Sequence, residues 1–458
     1  MLPSLGEEGV LTCTLADLVP EGAGAVEEAD PGVARLKASA DLVGAVEAAV
    51  RVFEEAPASG MEVGTPWADV WVSARDWAEA FAAPEPGVPH NEAREQVWDE
   101  LLAILVDKVV GDDTDVDPEA VRVALRRSPE LADAMGRAWP MLEASELVGD
   151  LWAVPALLRA CAPWLTEDEV RTLRRPEGTP WTTADLPLLD AARLRLGDAG
   201  AERRRRRREA ARAAEKEQMD AVVDHLVAND DSEMRLMSML RVHDLQGALA
   251  DVSPVDEPTG DVLAGPFAHV VVDEAQELTD AEWQMLLARC PSRSFTVVGD
   301  RAQARHGFTT SWEERLARAG LDRVEVAGLT VNYRTPEEVM TEAEPVIRSA
   351  IPDANVPTSI RSTGVPVHHG TVAELDGILA AWLAEHPEGT ACVIGSPGLV
   401  PPARVQSLTP VLAKGLEFDL VVLVDPDRFG EGIEGAVDRY VAMTRATARL
   451  VVLTSRAD

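Results

Sequence analysis

Two adjacent carboxylates, Asp273 and Glu274, are the residues of this sequence best placed to do chemistry. They follow His269 and the run Val270–Val272, an apolar stretch typical of a buried parallel strand. In open α/β sheets, ligands bind at the carboxyl ends of the strands. One carboxylate there can hold a magnesium ion, directly or through water, and the other can orient or deprotonate an attacking water. Taken alone, such a pair could equally be a helix cap.

Polar residues recur at two further predicted strand ends. Gln303 closes a short polar segment after a strand predicted at 294–298. A glutamine in that position can sense a γ-phosphate or an attacking water, or it can lie in a surface turn. Arg334 follows a strand predicted at 324–331, and an arginine there can clamp phosphate oxygens.

Two later segments add further charged groups. Lys414 and Glu417 precede an apolar strand predicted at 419–424. Arg445 lies in the segment Tyr440–Thr447, which the pattern predicts to be helical and to lead into another strand.

Taken in order, these segments resemble motifs two to six of the superfamily one helicases of the UvrD/Rep type. The matching segments are DEAQ from Asp273, GDRAQ from Gly299, NYRTP from Asn332, AKGLEFD from Ala413 and YVAMTRAT from Tyr440. The resemblance covers roughly 190 residues and implies an ATP-hydrolysing motor built from RecA-like parallel sheets.

The resemblance implies a role for each polar residue at these strand ends. Asp273 would bind magnesium, and Glu274 would activate the attacking water. Gln303 would couple the γ-phosphate to nucleic-acid binding. Arg334 and Arg445 would act as arginine fingers from the second motor domain and stabilise charge in the transition state.

Further nucleotide and nucleic-acid contacts come from the same resemblance. Glu417 would bind a ribose hydroxyl or a neighbouring backbone group, and the other implied nucleotide contacts are Gly415 and Tyr333. The implied nucleic-acid contacts are Phe308, Lys414 and Thr409. Phe308 would stack on single-stranded bases, although packing in the core is an equal alternative.

Within the superfamily, the sequence is most similar to the helicase IV/HelD group, including the HelR-type RNA polymerase recycling ATPases. The segments that carry this similarity are Leu2–Gly6, Gly9-Val10, Asp17-Leu18, Pro89–Asn91, Ala93-Arg94 and Trp181–Asp190. Val411 stands where repair helicases have the histidine of motif five. The resemblance implies a motor that binds core RNA polymerase and dislodges it with ATP. The alternatives are a UvrD-like DNA repair helicase and a catalytically dead polymerase-binding module.

The alternation of strands and helices after about residue 267 predicts an α/β fold with parallel layers. The resemblance implies that these layers are RecA-like parallel-sheet motor domains with a large all-α insertion in the first. We expect a remnant of the first RecA-like domain at 1–22, the helical insertion at 23–235, the rest of the first domain at 236–320 and the second domain at 321–458.

The individual elements follow from the same patterns. Predicted helices cover Ser39–Glu55, Asn91–Val110, Pro118–Arg127, Glu143–Ala160, Thr166–Arg174 and Asp280–Arg289, with Ser39 as an N-cap. Predicted strands cover Val10–Leu15, 268–272, 294–298, 324–331, 391–395, 405–409, 419–424 and 449–453.

Composition restricts the possible partners. The 458 residues carry a formal net charge of −36, so nucleic-acid phosphates repel the chain except at a local basic patch or through a protein partner. There is no apolar run near the length of a membrane span and no signal-peptide pattern, so a soluble cytoplasmic protein without membrane contact is expected. The four cysteines are far apart and are expected to be buried free thiols.

One part of a nucleotide site is missing from the sequence. No Gly-Lys dipeptide occurs, so there is no GxxxxGK[ST] loop to hold the β- and γ-phosphates. We therefore expect the chain to be the carboxy-terminal portion of a longer motor, lacking the amino-terminal half through truncation, a misplaced start at Met1 or a split gene. Magnesium and ATP remain the expected cofactors, with weak ATP binding by this chain alone.

Two weaker patterns are more typical of structural roles than of ligand binding. Asp113–Asp117 resembles the start of a calcium loop, but Pro118 stands where that loop requires glycine, so an acidic loop or a helix cap at Asp117 is favoured. Arg203–Arg208 could contact phosphates, but the neighbouring glutamates favour a solvated helix face.

Overall fold

The computed structural model describes residues 12–111, 116–176, 178–198, 262–305 and 310–455. The chain divides into two compact units. The first comprises Met1–Pro266 and Gln284–Arg289, and the second comprises Phe267–Trp283 and Cys290–Asp458. Helices dominate the described part of the first unit, and parallel strands with helices form the second, so the predicted α/β fold class is confirmed.

The first unit contains ten described helices and one hairpin. The helices are α1 Pro31–Lys37, α2 Ala40–Val52, α3 Ala74–Phe81, α4 His90–Val110, α5 Pro118–Arg126, α6 Pro129–Ala138, α7 Ala144–Ala153, α8 Pro155–Cys161, α9 Glu167–Leu173 and α10 Leu186–Leu196. The antiparallel hairpin joins β1 Met61–Gly64 to β2 Asp69–Val72.

Side-chain caps explain where several of these helices begin. The Ser39 side chain accepts a hydrogen bond from the backbone of Asp41, which confirms the predicted N-cap of α2. Asp117 caps α5, so this residue of the calcium-like pattern has the alternative structural role. The single helix predicted over Glu143–Ala160 is wrong, because a new helix begins at Pro155, whose ring cannot continue the helix before it.

Two apolar clusters stabilise the first unit. One surrounds α2, α7 and α10 and includes the fully buried Trp152. The other lies between the hairpin and α3 and α4, where Val63 and Trp77 are buried. Charged groups are also buried: Lys37 Nζ lies 2.7 Å from an Asp185 carboxylate oxygen, with both side chains almost fully shielded. Ion pairs in such surroundings need close partners to offset their desolvation.

The second unit is built on a five-stranded parallel sheet in the order β7-β11-β10-β8-β9. These strands are β7 His368–Thr371, β8 Ala391–Ile394, β9 Val405–Leu408, β10 Phe418–Val424 and β11 Ala446–Thr454. Two shorter parallel pairs accompany it: β3 Val270–Val272 with β4 Phe295–Val297, and β5 Val331–Asn332 with β6 Thr358–Ser359. Helix α11 Asp280–Arg289 begins in this unit, and its residues Gln284–Arg289 belong to the first. The helices that lie wholly in the second unit are α12 Trp312–Ala319, α13 Glu337–Ala350, α14 Leu375–Glu385 and α15 Gly432–Thr444.

The central strand β10 is buried on both faces. Val421 and Leu423 belong to the cluster that contains residues of α13 and α15, whereas Leu420 and Val422 belong to the cluster that contains residues of α14. Burial on both faces explains why Leu420–Val424 of β10 is a continuous apolar run rather than an alternating one. Helices therefore cover both faces of the parallel sheet.

Several sequence-based predictions of elements are wrong. Residues 324–330 form no strand, and the pairing there is limited to Val331–Asn332. The strand predicted at Val10–Leu15 does not extend over its described residues, which precede a short 3-10 helix at Ala16–Leu18. Cys13 is exposed, unlike the three buried thiols at Cys161, Cys290 and Cys392.

No helix in the described ranges is both long enough and apolar enough to cross a bilayer.

A hydrogen-bonded carboxylate joins the start of α13 to a later turn. Glu338 accepts hydrogen bonds from the Ser362 hydroxyl at 2.5 Å, from the Gly364 amide at 2.7 Å and from the Thr363 amide at 3.2 Å. The Ser362 hydrogen bond, followed by backbone amides, lowers the Glu338 pKa from 4.5 to about 2. The folded state thus gains stability from this carboxylate above pH 4.5 and loses it as the pH falls towards 2.

We expect Glu338→Gln to speed amide exchange at Gly364 several-fold at neutral pH, since one carboxylate oxygen is lost as an acceptor. Hydrogen exchange read by mass spectrometry or NMR measures this. The difference from wild type should narrow as the pH approaches 2, where protonation weakens the wild-type contact as well. Glu337→Gln removes the same charge one residue earlier and is the control. Equal exchange in both variants at neutral pH would contradict this role of Glu338.

Candidate active site

The carboxylate pair lies at the carboxyl end of β3, as the sequence predicts for Asp273 and Glu274. Strand β3 pairs in parallel with β4, with Val270 opposite Phe295 and Val272 opposite Val297. Both carboxylates follow directly, and both side chains are exposed. The Glu274 backbone adopts a left-handed conformation with φ of 53°. A non-glycine residue with that backbone costs free energy, and such residues concentrate at functional sites.

Gln276 connects the end of β3 to the end of β4. Its side-chain amide donates to a Glu274 carboxylate oxygen at 2.6 Å. Its carbonyl oxygen accepts the Asp300 backbone N–H at 3.0 Å. Because the Gln276 side chain is buried, these two hydrogen bonds fix the Glu274 carboxylate relative to the second strand.

Asp300 continues the polar network beyond β4. Its carboxylate accepts the Ala302 backbone N–H at 2.9 Å and the Gln303 side-chain amide at 2.8 Å. Burial raises the Asp300 pKa above its ordinary value, and the nearby Glu274 carboxylate acts in the same direction. Gln303 is thereby held with its carbonyl oxygen towards Arg445, whose guanidinium lies 3.5 Å away.

Arg445 is a buried cation at the end of α15. It donates to the backbone carbonyls of Val441 at 3.1 Å and Leu416 at 3.4 Å. Burial lowers the Arg445 pKa, and repulsion from the nearby Arg334 guanidinium lowers it further. The predicted helical segment ends before this arginine: α15 stops at Thr444, and β11 begins at Ala446.

Arg334 lies at the end of the short strand β5. Its guanidinium Nε forms an ion pair with Glu417 at 2.8 Å. The Asn332 side chain accepts the backbone N–H groups of Arg334 and Thr335 at 2.9 and 3.1 Å, which fixes the turn that carries the arginine. Both members of the ion pair are about two-fifths exposed, so this contact alone contributes little stability.

One cleft of about 930 Å³ in the second unit brings these groups together. The predicted site residues that line it are Asp273, Glu274, Gln303, Tyr333, Arg334 and Arg445. Asp300 and Gln276 line it as well. The cleft therefore brings the carboxylates that follow β3 and the guanidinium groups of Arg334 and Arg445 to one space. Further charged side chains line it too: Arg293, Arg301, Arg323, Glu313, Glu325 and Asp353. Carboxylates and guanidinium groups together suit a ligand with phosphate groups and a divalent cation.

The other predicted site residues have different surroundings. Lys414 lies 3.3 Å from a Glu274 carboxylate oxygen and 2.6 Å from Glu277. Gly415 has a positive φ of 76° in the turn before β10. The Thr409 hydroxyl accepts a backbone N–H from Leu412 at 3.3 Å.

Tyr333 is 70% exposed, which leaves its ring accessible to a ligand in the cleft. Phe308 and Arg203–Arg208 lie outside the described residues, as do Asp113 and Asp115.

No role was predicted for Gln276, Asp300 or Glu277. Gln276 and Asp300 stand inside motif segments already recognised, so a polar residue at a predicted strand end was the available signal. The contact of Glu277 with Lys414 joins residues 137 positions apart and has no local signal in the sequence.

Some of the charged groups in the cleft suit a ligand that consists of magnesium and a nucleotide. Carboxylate oxygens are suitable magnesium ligands, and magnesium commonly takes one or two of them together with water and phosphate oxygens. Asp273 provides such a group, while the described residues contain no cluster of three or more potential ligands. The repulsion between Arg334 and Arg445 would be relieved by an anion between them, which fits a phosphate group.

Comparison with known proteins yields remote structural similarities. No family model and no curated protein matches the chain. The PRRSV helicase is 18% identical, with 40% of this chain and 34% of that chain covered and a TM-score of 0.26. Arterivirus nonstructural protein 10 (helicase) is 17% identical, with coverages of 40% and 38% and a TM-score of 0.25. Its complex with DNA gives 18% identity, coverages of 40% and 39%, and a TM-score of 0.25. The chain thus spans less than half the length of these proteins, and similarity at this level identifies no family.

The strained backbone of Glu274 gives a direct test of this site's geometry. Glu274→Gly and Glu274→Ala both remove the carboxylate, but only glycine adopts the left-handed conformation without penalty. We expect the glycine variant to be more stable by about 1 kcal/mol, a difference of about 2 to 4 °C in melting temperature. Thermal unfolding of the two variants in parallel measures it. An alanine variant as stable as the glycine variant would show that the backbone at 274 is not left-handed.

Proposed function

We propose that the second unit carries half of an ATP-hydrolysis site in a motor of the superfamily one helicase type. The observation that supports this most directly is the shared cleft, which is lined by Asp273, Glu274, Arg334 and Arg445. Gln303 lies between them, hydrogen-bonded towards both sides. Acid, base and cationic groups that converge on one cleft are what phosphoryl transfer to water requires.

Each residue has a defined task in this proposal. Asp273 would hold a magnesium ion, which neutralises charge on the β- and γ-phosphates when it is bound. Glu274 would accept a proton from the attacking water, oriented by the amide of Gln276. Arg334 and Arg445 would stabilise the charge that develops on the transferred phosphoryl group. Gln303 would report the γ-phosphate to the rest of the unit.

The remaining residues would position the nucleotide or a nucleic-acid strand. Glu417 would bind the ribose, with Gly415 permitting the tight turn before it and Tyr333 presenting an exposed ring. Lys414 and Thr409 would contact a nucleic-acid backbone. In the structure described here Lys414 is paired with Glu274 and Glu277, so a phosphate would have to compete with these carboxylates for it.

The phosphate loop is the part of the proposed reaction that these 458 residues lack. Without its backbone amides and lysine, the β- and γ-phosphates have no cradle. We therefore propose that an amino-terminal half of the motor completes the site. The domain assignment proposed with it is 1–22 and 236–320 for the first RecA-like domain, 23–235 for the helical insertion and 321–458 for the second domain.

Within this class, we propose that the motor acts on core RNA polymerase in the manner of the HelD group, dislodging or recycling it. The net charge of −36 supports a protein partner with basic surfaces over a long nucleic-acid track. The large helical region, residues 31–196 in the described part, provides surface for such a partner. DNA remains a possible second ligand of the motor.

The position of Arg334 in the cleft predicts that its removal weakens nucleotide binding. We expect Arg334→Ala to weaken binding of a fluorescent ATP analogue with magnesium by about tenfold, since a charged hydrogen bond to phosphate is lost. Arg348→Ala is the matched control: Arg348 is equally exposed and also paired with a glutamate, but lies outside the cleft lining. Titration by fluorescence measures both variants. Equal affinities would exclude Arg334 from the nucleotide site.

Turnover by this chain alone should be negligible, because the phosphate loop is absent. We expect a rate below about 1 s⁻¹, the lower end of ordinary enzyme turnover. A phosphate-release assay on pure protein measures it, with Glu274→Gln as the control for contaminating ATPase. A faster rate that Glu274→Gln abolishes would refute the need for an added phosphate loop.

The choice of partner is tested by a pull-down of the purified chain against core RNA polymerase and single-stranded DNA in parallel. Polymerase binding that survives moderate salt, without DNA binding, is the expected result. DNA binding without polymerase binding would instead favour a repair-helicase relative. Binding to neither would remove the support for a polymerase-directed motor.

A further inference from the structure

The hairpin of the first unit exposes two tryptophans on a rigid support. Its inward side chains, Val63, Val70 and Val72, are buried against the helices. Its outer face exposes Trp71, which is 57% accessible, and its turn exposes Trp67, which is 42% accessible. Tryptophan is a large amphipathic side chain, and leaving two of them exposed on one small hairpin forgoes considerable burial of apolar surface.

The Trp71 ring is held in place from below. A side chain at Gly60 would approach the Trp71 ring to 2.7 Å and the Val72 carbonyl oxygen to 2.5 Å, so only glycine allows this packing. The Trp71 carbonyl accepts a hydrogen bond from Lys108 Nζ at 3.1 Å, which ties β2 to α4. The exposed ring is therefore ordered before any partner binds, which lowers the entropic cost of binding.

The turn that carries Trp67 is also closed by hydrogen bonds. The Thr65 backbone N–H donates to the Ala68 carbonyl at 3.2 Å. The Thr65 hydroxyl oxygen accepts the Ala68 N–H at 3.1 Å. Pro66 restricts the backbone between them. Trp67 is thus presented on a fixed loop rather than on a free chain.

The surroundings of the two rings are acidic. Glu62 lies directly opposite Trp71 in the strand pair, and Asp69 begins the same strand as Trp71. Residues 54–79 contain one basic side chain, Arg75. The acidic side chains of that stretch are Glu54, Glu55, Glu62, Asp69, Asp76 and Glu79. Asp76 is buried and paired with Lys108, and Glu54 is paired with Arg195. The exposed carboxylates on the hairpin itself are Glu62 and Asp69.

This combination selects the class of partner. Proteins that stack single-stranded bases on aromatic rings place those rings in a positively charged groove, because the phosphates must be neutralised. An acidic face repels phosphates instead. A protein surface with arginine or lysine around an apolar recess is complementary to both features, since the recess buries the rings and the cations pair with the carboxylates.

We propose that residues 61–72 form a docking hairpin that inserts Trp67 and Trp71 into an apolar recess rimmed by arginine or lysine on a protein partner. The hairpin would supply the central anchors of that interface, as tryptophans do where a few residues carry most of the binding free energy. The identity of the partner rests on the proposed function, in which the partner is core RNA polymerase.

Hydroxyl-radical footprinting of the wild-type chain tests the proposal without any substitution. Oxidation of each tryptophan is read by mass spectrometry with and without core RNA polymerase. We expect protection of Trp67 and Trp71 in the complex. Trp164, which is 50% exposed elsewhere in the first unit, should be oxidised equally in both conditions and is the internal control.

Affinity measurements on variants give the second test. We expect the double variant Trp67→Ala/Trp71→Ala to bind core RNA polymerase at least about tenfold more weakly than wild type. Trp164→Ala should change affinity less than about twofold, as expected for a residue outside the anchor cluster. Glu62→Lys/Asp69→Lys should slow association and reduce its dependence on salt, because rim charges mainly steer encounter. Circular dichroism verifies that each variant is folded, since the buried inner face of the hairpin is unchanged.

The outcomes separate this inference from the proposed function. In one outcome, the double tryptophan variant binds polymerase as well as wild type does, and both rings stay unprotected in the footprint. That result overturns the docking hairpin but not the polymerase-directed motor. Absence of wild-type binding to polymerase overturns both. Loss of binding in the double variant but not in Trp164→Ala, together with protection of both rings, supports both.

Discussion

The parallel register between β10 and β11 is the constraint on which the cationic side of the cleft depends. Phe418 pairs with Ala446, and the Phe418 backbone N–H donates to the Arg445 carbonyl at 3.0 Å. These contacts place Arg445 beside the residue that follows Glu417, the ion-pair partner of Arg334. The pairing shifts by one residue between Phe418 and Leu420, an irregularity that lies next to Arg445. Beyond it, β10 packs against helices on both faces and keeps one register from Leu420 with Arg449 to Val424 with Leu453.

The cleft is also held by a balance of unlike and like charges. Buried Arg445 pays a desolvation cost that backbone carbonyls compensate only in part, and the neighbouring guanidinium opposes its charge. Loss of solvent contact also raises the pKa of the half-buried Asp300 carboxyl and so disfavours its anionic form. Gln303 lies between the two and uses its carbonyl for one and its amide for the other. A neutral amide is the group that can satisfy both sides at once.

The sequence predicts those parts of the fold whose signal is local. Within the strand Phe418–Val424, residues Leu420–Val424 are a continuous apolar run because both faces are buried there. Helix α11 was predicted with its observed limits. Residues 324–331 have a similar apolar content, but Leu329 is 79% exposed and no strand pairs with them before Val331. Strand pairing depends on a partner strand that is distant in sequence. The hydrophobic periodicity of one segment carries no information about that partner. The hairpin β1–β2 was missed because two four-residue strands interrupt an otherwise helical composition.

For the candidate site, the motif order predicted which residues would line one cleft but not how they contact each other. Asp273, Glu274, Gln303, Arg334 and Arg445 were all singled out by position after a strand or in a recognised segment. The contact of Lys414 with Glu274 could not be inferred, because it joins two loops that only the folded chain brings together. Side-chain partners across long sequence separations are a property of the tertiary packing.

The charged residues that line the cleft are carried by sheets of different size. Arg445 immediately precedes β11 of the five-stranded sheet, and Arg334 follows the two-residue pair β5–β6. The carboxylates follow β3, and in the described residues β3 and β4 pair only with each other over three residues and leave Val271 53% exposed. Short strands with few buried contacts open at the lowest free energy. A ligand that contacts both Arg445 and the carboxylates after β3 would restrict the motion of the small β3–β4 pair. Amide hydrogen exchange would then slow in β3 and β4 and stay unchanged in β10. Asp273 and Glu274 would then become well ordered only when a ligand is bound. Part of the binding free energy would offset the entropy lost in ordering them.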